Sequence, residues 1–246
     1  MPINYLSSLT AKPRSKRSNL HIGILLTVVA GALNAGGFLA VGQYTSHMTG
    51  MVSMFADQIV LMNFALASVA VISWLAFFLG AAVTAVIVNY KLRSGSQHAY
   101  AFPLMIEAIC ILIFGSFGGT LESHEFIDVS AAVVLLCFAM GLQNALITKI
   151  SNAEIRTTHV TGLTTDFGIE VGKLLYWNKL QGDIRLQKVI ANREKMKVHG
   201  SLIVTFLCGG LLGAIGFKFV GFSSSIPLAI TLGFIALAPV MAKNNI

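Results

Sequence analysis

The sequence predicts an all-α membrane protein of about six transmembrane helices, built as two inverted three-helix repeats, each with an extra short or re-entrant helix. Three observations lead there. Hydrophobic residues make up 55% of the chain, charged residues only 11%, and mean hydropathy is +0.77, whereas a soluble domain carries about 25% charged residues. Apolar runs near the roughly 20-residue spanning length alternate with short charged loops. Finally, the chain nearly repeats itself: Ser46-His47-Met48-Thr49-Gly50 returns as Thr158-His159-Val160-Thr161-Gly162. Each copy follows an apolar run carrying an Asn-Ala pair, Asn34-Ala35 and Asn144-Ala145, and precedes one with a Phe-x-x-Gly start, Phe77 to Gly80 and Phe206 to Gly209.

The elements follow in order. Residues 1–19, with Lys12, Arg14, Lys16 and Arg17, read as a polar, basic, mobile cytoplasmic tail. The apolar stretch Ile22–Val41 is longer than the 7–15 residues of a signal-peptide core, so an uncleaved first helix is expected. Hydropathy places spans near 22–42, 65–90, 101–119, 129–148, 200–220 and 224–242, so residues 20–246 form one membrane domain with repeats at 22–119 and 129–242. Two moderately apolar pieces remain: 47–62, containing Asp57, and 159–176, containing Asp166, Glu170 and Lys173. If both cross there are eight spans; if neither does, there are six.

Charge placement arbitrates, because cytoplasmic loops are enriched in Lys and Arg. Six spans put the N-terminus, Lys91, Arg93, the stretch from Lys149 to Lys197, and Lys243 inside, and leave outside the loop Thr120–Ile127, which has Glu122 and Glu125 but no basic residue. Eight spans move Lys91 and Arg93 outside and the acidic loop inside. Six, with both termini cytoplasmic, is the expectation. An odd number of spans per repeat then turns the second copy upside down, about an axis in the membrane plane. The insertion near 178–198, with the run Lys188–Lys197, reads as an amphipathic surface helix on anionic headgroups.

Composition also excludes function classes. The net charge of +7 sits in loops without aromatic interleaving, so no nucleic-acid partner is expected. Cys110, Cys137 and Cys208 lie inside apolar runs without metal or redox spacing and read as free thiols. No GxSxG, HExxH, P-loop or dinucleotide fingerprint occurs, so neither enzyme chemistry, catalytic residues, cofactor nor metal is expected. The pairs Gly36-Gly37, Gly118-Gly119 and Gly209-Gly210 read as helix-packing positions. The expected partners are the lipid bilayer and a small solute or ion, and a homo-oligomer is compatible with all of this.

The repeated motif is the candidate site. Ser46 and Thr158 suit helix N-caps, and Gly50 and Gly162 leave room for a second helix or a ligand. Short helices starting at the motif would present positive N-terminal ends near the midplane, where broken-helix transporters hold anionic groups. The competing reading is a packing joint, since His, Ser, Thr and Asn commonly bond helices together in bundles. Carboxylates come next. His159, Asp166 and Glu170 share one helical face, with Lys173 and Arg156 as candidate partners; Asp57 falls less well in line. Glu107 lies inside an apolar run, where a carboxylate is costly and marks a proton or cation site by default, or else partners Gln143 or Asn144. The expected path is therefore His47, Thr49, Gly50, His159, Thr161 and Gly162, helped by Asn34, Asn144, Glu107, Asp57 and Asp166.

Gly31-Ala32-Leu33-Asn34-Ala35 before the first motif, and Gly141-Leu142-Gln143-Asn144-Ala145 before Arg156-Thr157 and the second, resemble the YoaK-like family. These are bacterial multi-pass inner-membrane proteins built around a domain of unknown function. The resemblance covers about residues 20–242. It departs at Met51, where a small polar residue such as Asn is expected. It implies a bacterial inner-membrane location and about six spans, and it implies no activity.

Overall fold

A computed structural model describes residues 2–12, 14–116, 126–176 and 188–243. The acidic loop Thr120–Ile127 therefore falls mostly outside the described residues. So do Gly118-Gly119 and residues 178–187 of the 178–198 insertion.

Among the described residues every regular element is helical: α1 Pro2–Ser8, α2 Lys16–Val41, α3 Met48–Val60, α4 Phe64–Arg93, α5 Ala101–Ser116, α6 Phe126–Ser151, α7 Val160–Leu175, α8 Arg193–Val220 and α9 Ile226–Lys243, with a 3₁₀ turn Gly221–Ser225 between the last two. Local chemistry sets the ends. Asn63 and Asn192 accept from the Leu66 and Lys195 N–H groups, as capping side chains do. Gly42 and Gly221 end α2 and α8 with φ of 72° and 71°, a backbone that glycine adopts without strain.

Four stretches are long and apolar enough to cross a membrane: Lys16–Val41, Phe64–Arg93, Ser130–Ser151 within α6, and Arg193–Ala242, which takes in α8 and α9. Their outer faces carry exposed apolar side chains such as Phe78, Leu79, Val86, Leu211, Leu212 and Phe219, a surface suited to lipid rather than water. The chain is thus an apolar helical membrane protein. At 1.5 Å per residue, α3 is about 20 Å long, and α7 and the described part of α5, where the expected span 101–119 lies, are about 24 Å each, short of a roughly 30 Å hydrocarbon core.

Packing repeats itself as the sequence does. A methyl group on Gly31 of α2 would lie 2.2 Å from Phe206 O of α8, and one on Gly141 of α6 would lie 2.0 Å from Phe77 O of α4. The return contacts match: Gly209 would meet Val28 O at 2.4 Å, and Gly80 would meet Phe138 O at 2.2 Å. Next along, Gly213 would meet Ala32 O at 2.4 Å, while Thr84 donates its hydroxyl to Leu142 O at 3.2 Å. Both pairs, α2 with α8 and α4 with α6, rise together in residue number and so run parallel. The Phe-x-x-Gly starts are explained by this: the Phe carbonyl receives one glycine and the Gly receives one carbonyl. Backbones come this close only where side chains are missing.

α2 and α6 meet antiparallel. Gly23 of α2 lies beneath Ile147 and Ile155, Gln143 of α6 donates to Leu26 O, and Gly37 lies against Leu136.

Two expectations are corrected. Residues 2–12 do not form a mobile polar tail: α1 packs on α9, Leu9 and Thr10 are buried, and the Lys12 N–H donates to Gln97 O at 2.9 Å. The apolar Leu6 and Leu9 join the core despite their basic neighbours. Nor is Lys188–Lys197 a separate surface helix. Residues 188–192 are not helical, and Arg193–Lys197 form the charged first turn of α8, started by the Asn192 cap.

Candidate functional site

The two motif copies form matching junctions. After α2 ends at Val41 the chain turns back, and Asn34 Oδ1 accepts both the N–H of Ser46, at 3.1 Å, and its hydroxyl, at 2.8 Å. After α6 ends at Ser151, Asn144 Oδ1 accepts the Thr158 hydroxyl at 2.6 Å. Each asparagine stands seven residues before the end of its helix, so each motif begins about 10 Å below that end. Because α2 and α6 are antiparallel, the junctions descend from opposite ends of the bundle. Gln143 marks the level of Leu26, eight residues from Asn34, which leaves the two junctions about 12 Å apart in depth.

The hydroxyls therefore do not cap. With Ser46 and Thr158 donating to the asparagines, the N-cap positions fall to His47 and His159, and neither imidazole bonds a first-turn N–H group. Each ring instead folds over the glycine three residues on. A methyl on Gly50 would lie 2.2 Å from His47 Cδ2, and one on Gly162 would lie 2.5 Å from His159 Nδ1. The space the glycines leave is filled by their own N-cap histidine.

Both histidines, and Thr49 and Thr161 beside them, are exposed. α3 packs on α4 and α7 on α8, giving the two copies different surroundings. Beside the first lies an apolar pocket of about 180 Å³, lined by Met51, Val52, Phe55, Ala70, Val71 and Trp74. Met51, where the resemblance leads one to expect a small polar residue, is buried there. Beside the second lies a polar cleft of about 350 Å³ with Arg156, His159, Asp166 and His199 in its wall. No residue of α3 lines it.

The acidic residues divide. Asp57 is exposed on α3. Asp166 lines the polar cleft and pairs with Lys195 at 3.4 Å rather than with Arg156. Glu170 is buried and bonds Lys173 Nζ at 2.8 Å and the Asn192 N–H at 2.7 Å, so it fastens α7 to the start of α8. The Lys173 bond first, and then that N–H, hold its carboxyl below the ordinary range.

Glu107 stands alone. It is 0% exposed in α5, and neither carboxylate oxygen has a hydrogen-bond partner. The suggested partners are engaged elsewhere: Gln143 donates to Leu26 O and to Thr157 Oγ1, and Asn144 donates to Met140 O at 2.8 Å. The three cysteines are free, Cys110 and Cys137 buried and Cys208 exposed. Among the described residues no group of three His, Cys, Asp or Glu is placed to hold a metal ion.

Residues 22–238 match the model of a protein family of unknown function, DUF1275. The chain belongs to DUF1275. No curated protein and no solved structure matches it. The DUF1275 match takes in both motifs and both asparagine junctions, and agrees with the YoaK-like resemblance.

His199 is the site residue that the sequence did not flag. It heads an apolar run as Val198-His199-Gly200, and only the helix-to-helix packing of α7 on α8 brings it beside His159.

Proposed function

We propose that this membrane protein is a transporter or channel for a small solute or ion, its path running between two inverted halves of three spans each. The observation that carries the reading is the pair of asparagine junctions, which lower two helix N-termini about 10 Å into the bundle from opposite ends. Irregular backbone at that depth survives only against protein or a water-filled cavity, and half-helix N-termini facing each other across the midplane are a recurrent way to build a transport site. In this reading α2, α4, α5, α6, α8 and α9 cross, while α3 dips in from outside and α7 from inside.

The reciprocal glycine contacts support the exchange of halves, since each α2–α8 contact has its α4–α6 counterpart. The bond from Lys12 to Gln97 supports six spans, because it ties the N-terminus to the loop after α4 and so to the same membrane face. Glu107, buried without a partner, suits a proton or cation carried during the cycle.

Reconstituted protein screened for uptake by solute charge class tests the proposal. Uptake of one class should be lost in His47→Gln and in His159→Gln while the protein stays folded. Uptake by neither vesicles nor cells for any class would contradict it.

One observation favours a second reading, in which the motifs are packing joints: each histidine ring fills the space above its own glycine. That reading expects the histidine variants to lose stability and nothing else.

A further inference from the structure

The polar cleft beside the second motif has the parts of an anion site. Four independent features converge there. First, α7 is a 16-residue helix whose leading N–H groups, Val160, Thr161 and Gly162, have no partner within the helix, and its N-cap histidine bonds none of them. Such an end carries roughly half a positive charge. Second, Arg156 stands in the cleft wall and pairs with no carboxylate among the described residues; its one side-chain bond is to His159 Nδ1 at 3.3 Å. A guanidinium can only donate, so Nδ1 accepts and the ring proton sits on Nε2, a further donor. Third, His199 lines the same cleft at 4% exposure, and its buried Nδ1 has no hydrogen-bond partner. Fourth, the wall includes Ala153, which with Asn152 takes φ of 65° and 53°. Alanine holds this left-handed backbone only under strain, of the kind that gathers at binding sites.

The acidic groups leave room for an anion. Asp166 is occupied by Lys195, and Glu154 is exposed. The first motif has no equivalent: three residues before His47 stands Tyr44, stacked on Phe38 at 4.5 Å, where Arg156 precedes His159, and its pocket is apolar. A volume of about 350 Å³ lies at the small end of ligand pockets, which run from about 300 Å³.

We infer that this cleft binds a small oxyanion, a phosphate or carboxylate group, held by the α7 N-terminus, Arg156 and His159, with His199 at its floor. As the substrate class of the transport proposed above, the inference rests on that reading; as a binding site it stands without it. The cleft opens at the end of the bundle where α6 ends and α8 begins, so in the six-span arrangement it takes its anion from the cytoplasm.

The test uses full-length protein in phosphatidylcholine nanodiscs, with the unfolding temperature followed against inorganic phosphate, against acetate, and against tetraethylammonium as a cation control. A saturable rise is expected with at least one anion and none with the cation. Arg156→Gln should weaken binding about tenfold or more, Arg156→Lys less, since the charge remains but the forked donor is lost. Tyr44→Phe at the corresponding position of the first copy should bind as the native protein does. Adding phosphatidylglycerol identifies the source: loss of the phosphate effect assigns the cleft to a lipid headgroup, its persistence to a soluble anion. No saturable anion effect, or one unchanged in Arg156→Gln, overturns the site. Binding without uptake would leave the site standing and remove transport; uptake with no binding here would do the opposite.

Discussion

At the scale of the residue, the glycines of the motif and those of the helix pairs fail differently when filled. Gly31→Ala and Gly141→Ala each drive a methyl group into a backbone carbonyl of the neighbouring helix, which can yield only by parting the helices, so each should destabilise by about 1–3 kcal/mol. Thermal unfolding in detergent measures it. Gly162→Ala meets the His159 ring first, so its loss should be recovered when His159→Ala is added, a coupling that a double-mutant cycle isolates. Glu170 gives a pH signature. Its folded-state value lies below the unfolded one, so its stabilising contribution is complete above the ordinary carboxylate value near 4.3 and disappears as pH falls through the lower folded value. Native protein should lose stability over that acid range more steeply than Glu170→Gln. Equal slopes would mean that the bonds to Lys173 and Asn192 contribute nothing to it. Glu107→Gln should be tolerated or stabilising, since it removes a carboxyl without partners from an apolar core, yet should change any proton- or cation-dependent uptake.

At the scale of the element, the apolar helices were legible because hydropathy alone marks apolar runs: Phe64–Arg93 covers 65–90, and Ile226–Lys243 covers most of 224–242. What the sequence hid depends on partners far along the chain. The Asn34 and Asn144 side chains take the hydroxyls of Ser46 and Thr158, and a capping rule that looks only a few residues ahead assigns those hydroxyls to the helix instead. α8 begins seven residues before its apolar part because Asn192 caps a charged first turn, which hydropathy reads as loop. The N-terminal segment reads as a polar tail because its two core leucines, Leu6 and Leu9, are outnumbered by polar neighbours. Its docking makes a topological prediction: a cysteine at Ser94 should react with an impermeant thiol reagent only from the face that carries the N-terminus. Reaction from the opposite face would require α3 to cross, and with it eight spans.

At the scale of the whole molecule, the two motif copies share contacts but not chemistry. The glycine–carbonyl pairs and asparagine junctions are matched. The polar cleft belongs to the second half alone, because Arg156 and His199 have no equivalents beside His47; that difference lies outside the repeated motif and was not visible in it. The central claim is that the two motifs enter one bundle from opposite faces. Sided labelling of Thr49→Cys and Thr161→Cys, in a background with Cys110, Cys137 and Cys208 replaced by alanine, tests it most directly, since both threonines are exposed at the start of their short helices. The account predicts that an impermeant thiol reagent reaches Thr49→Cys only from outside and Thr161→Cys only from the cytoplasmic face. Labelling of both positions from the same face would contradict it.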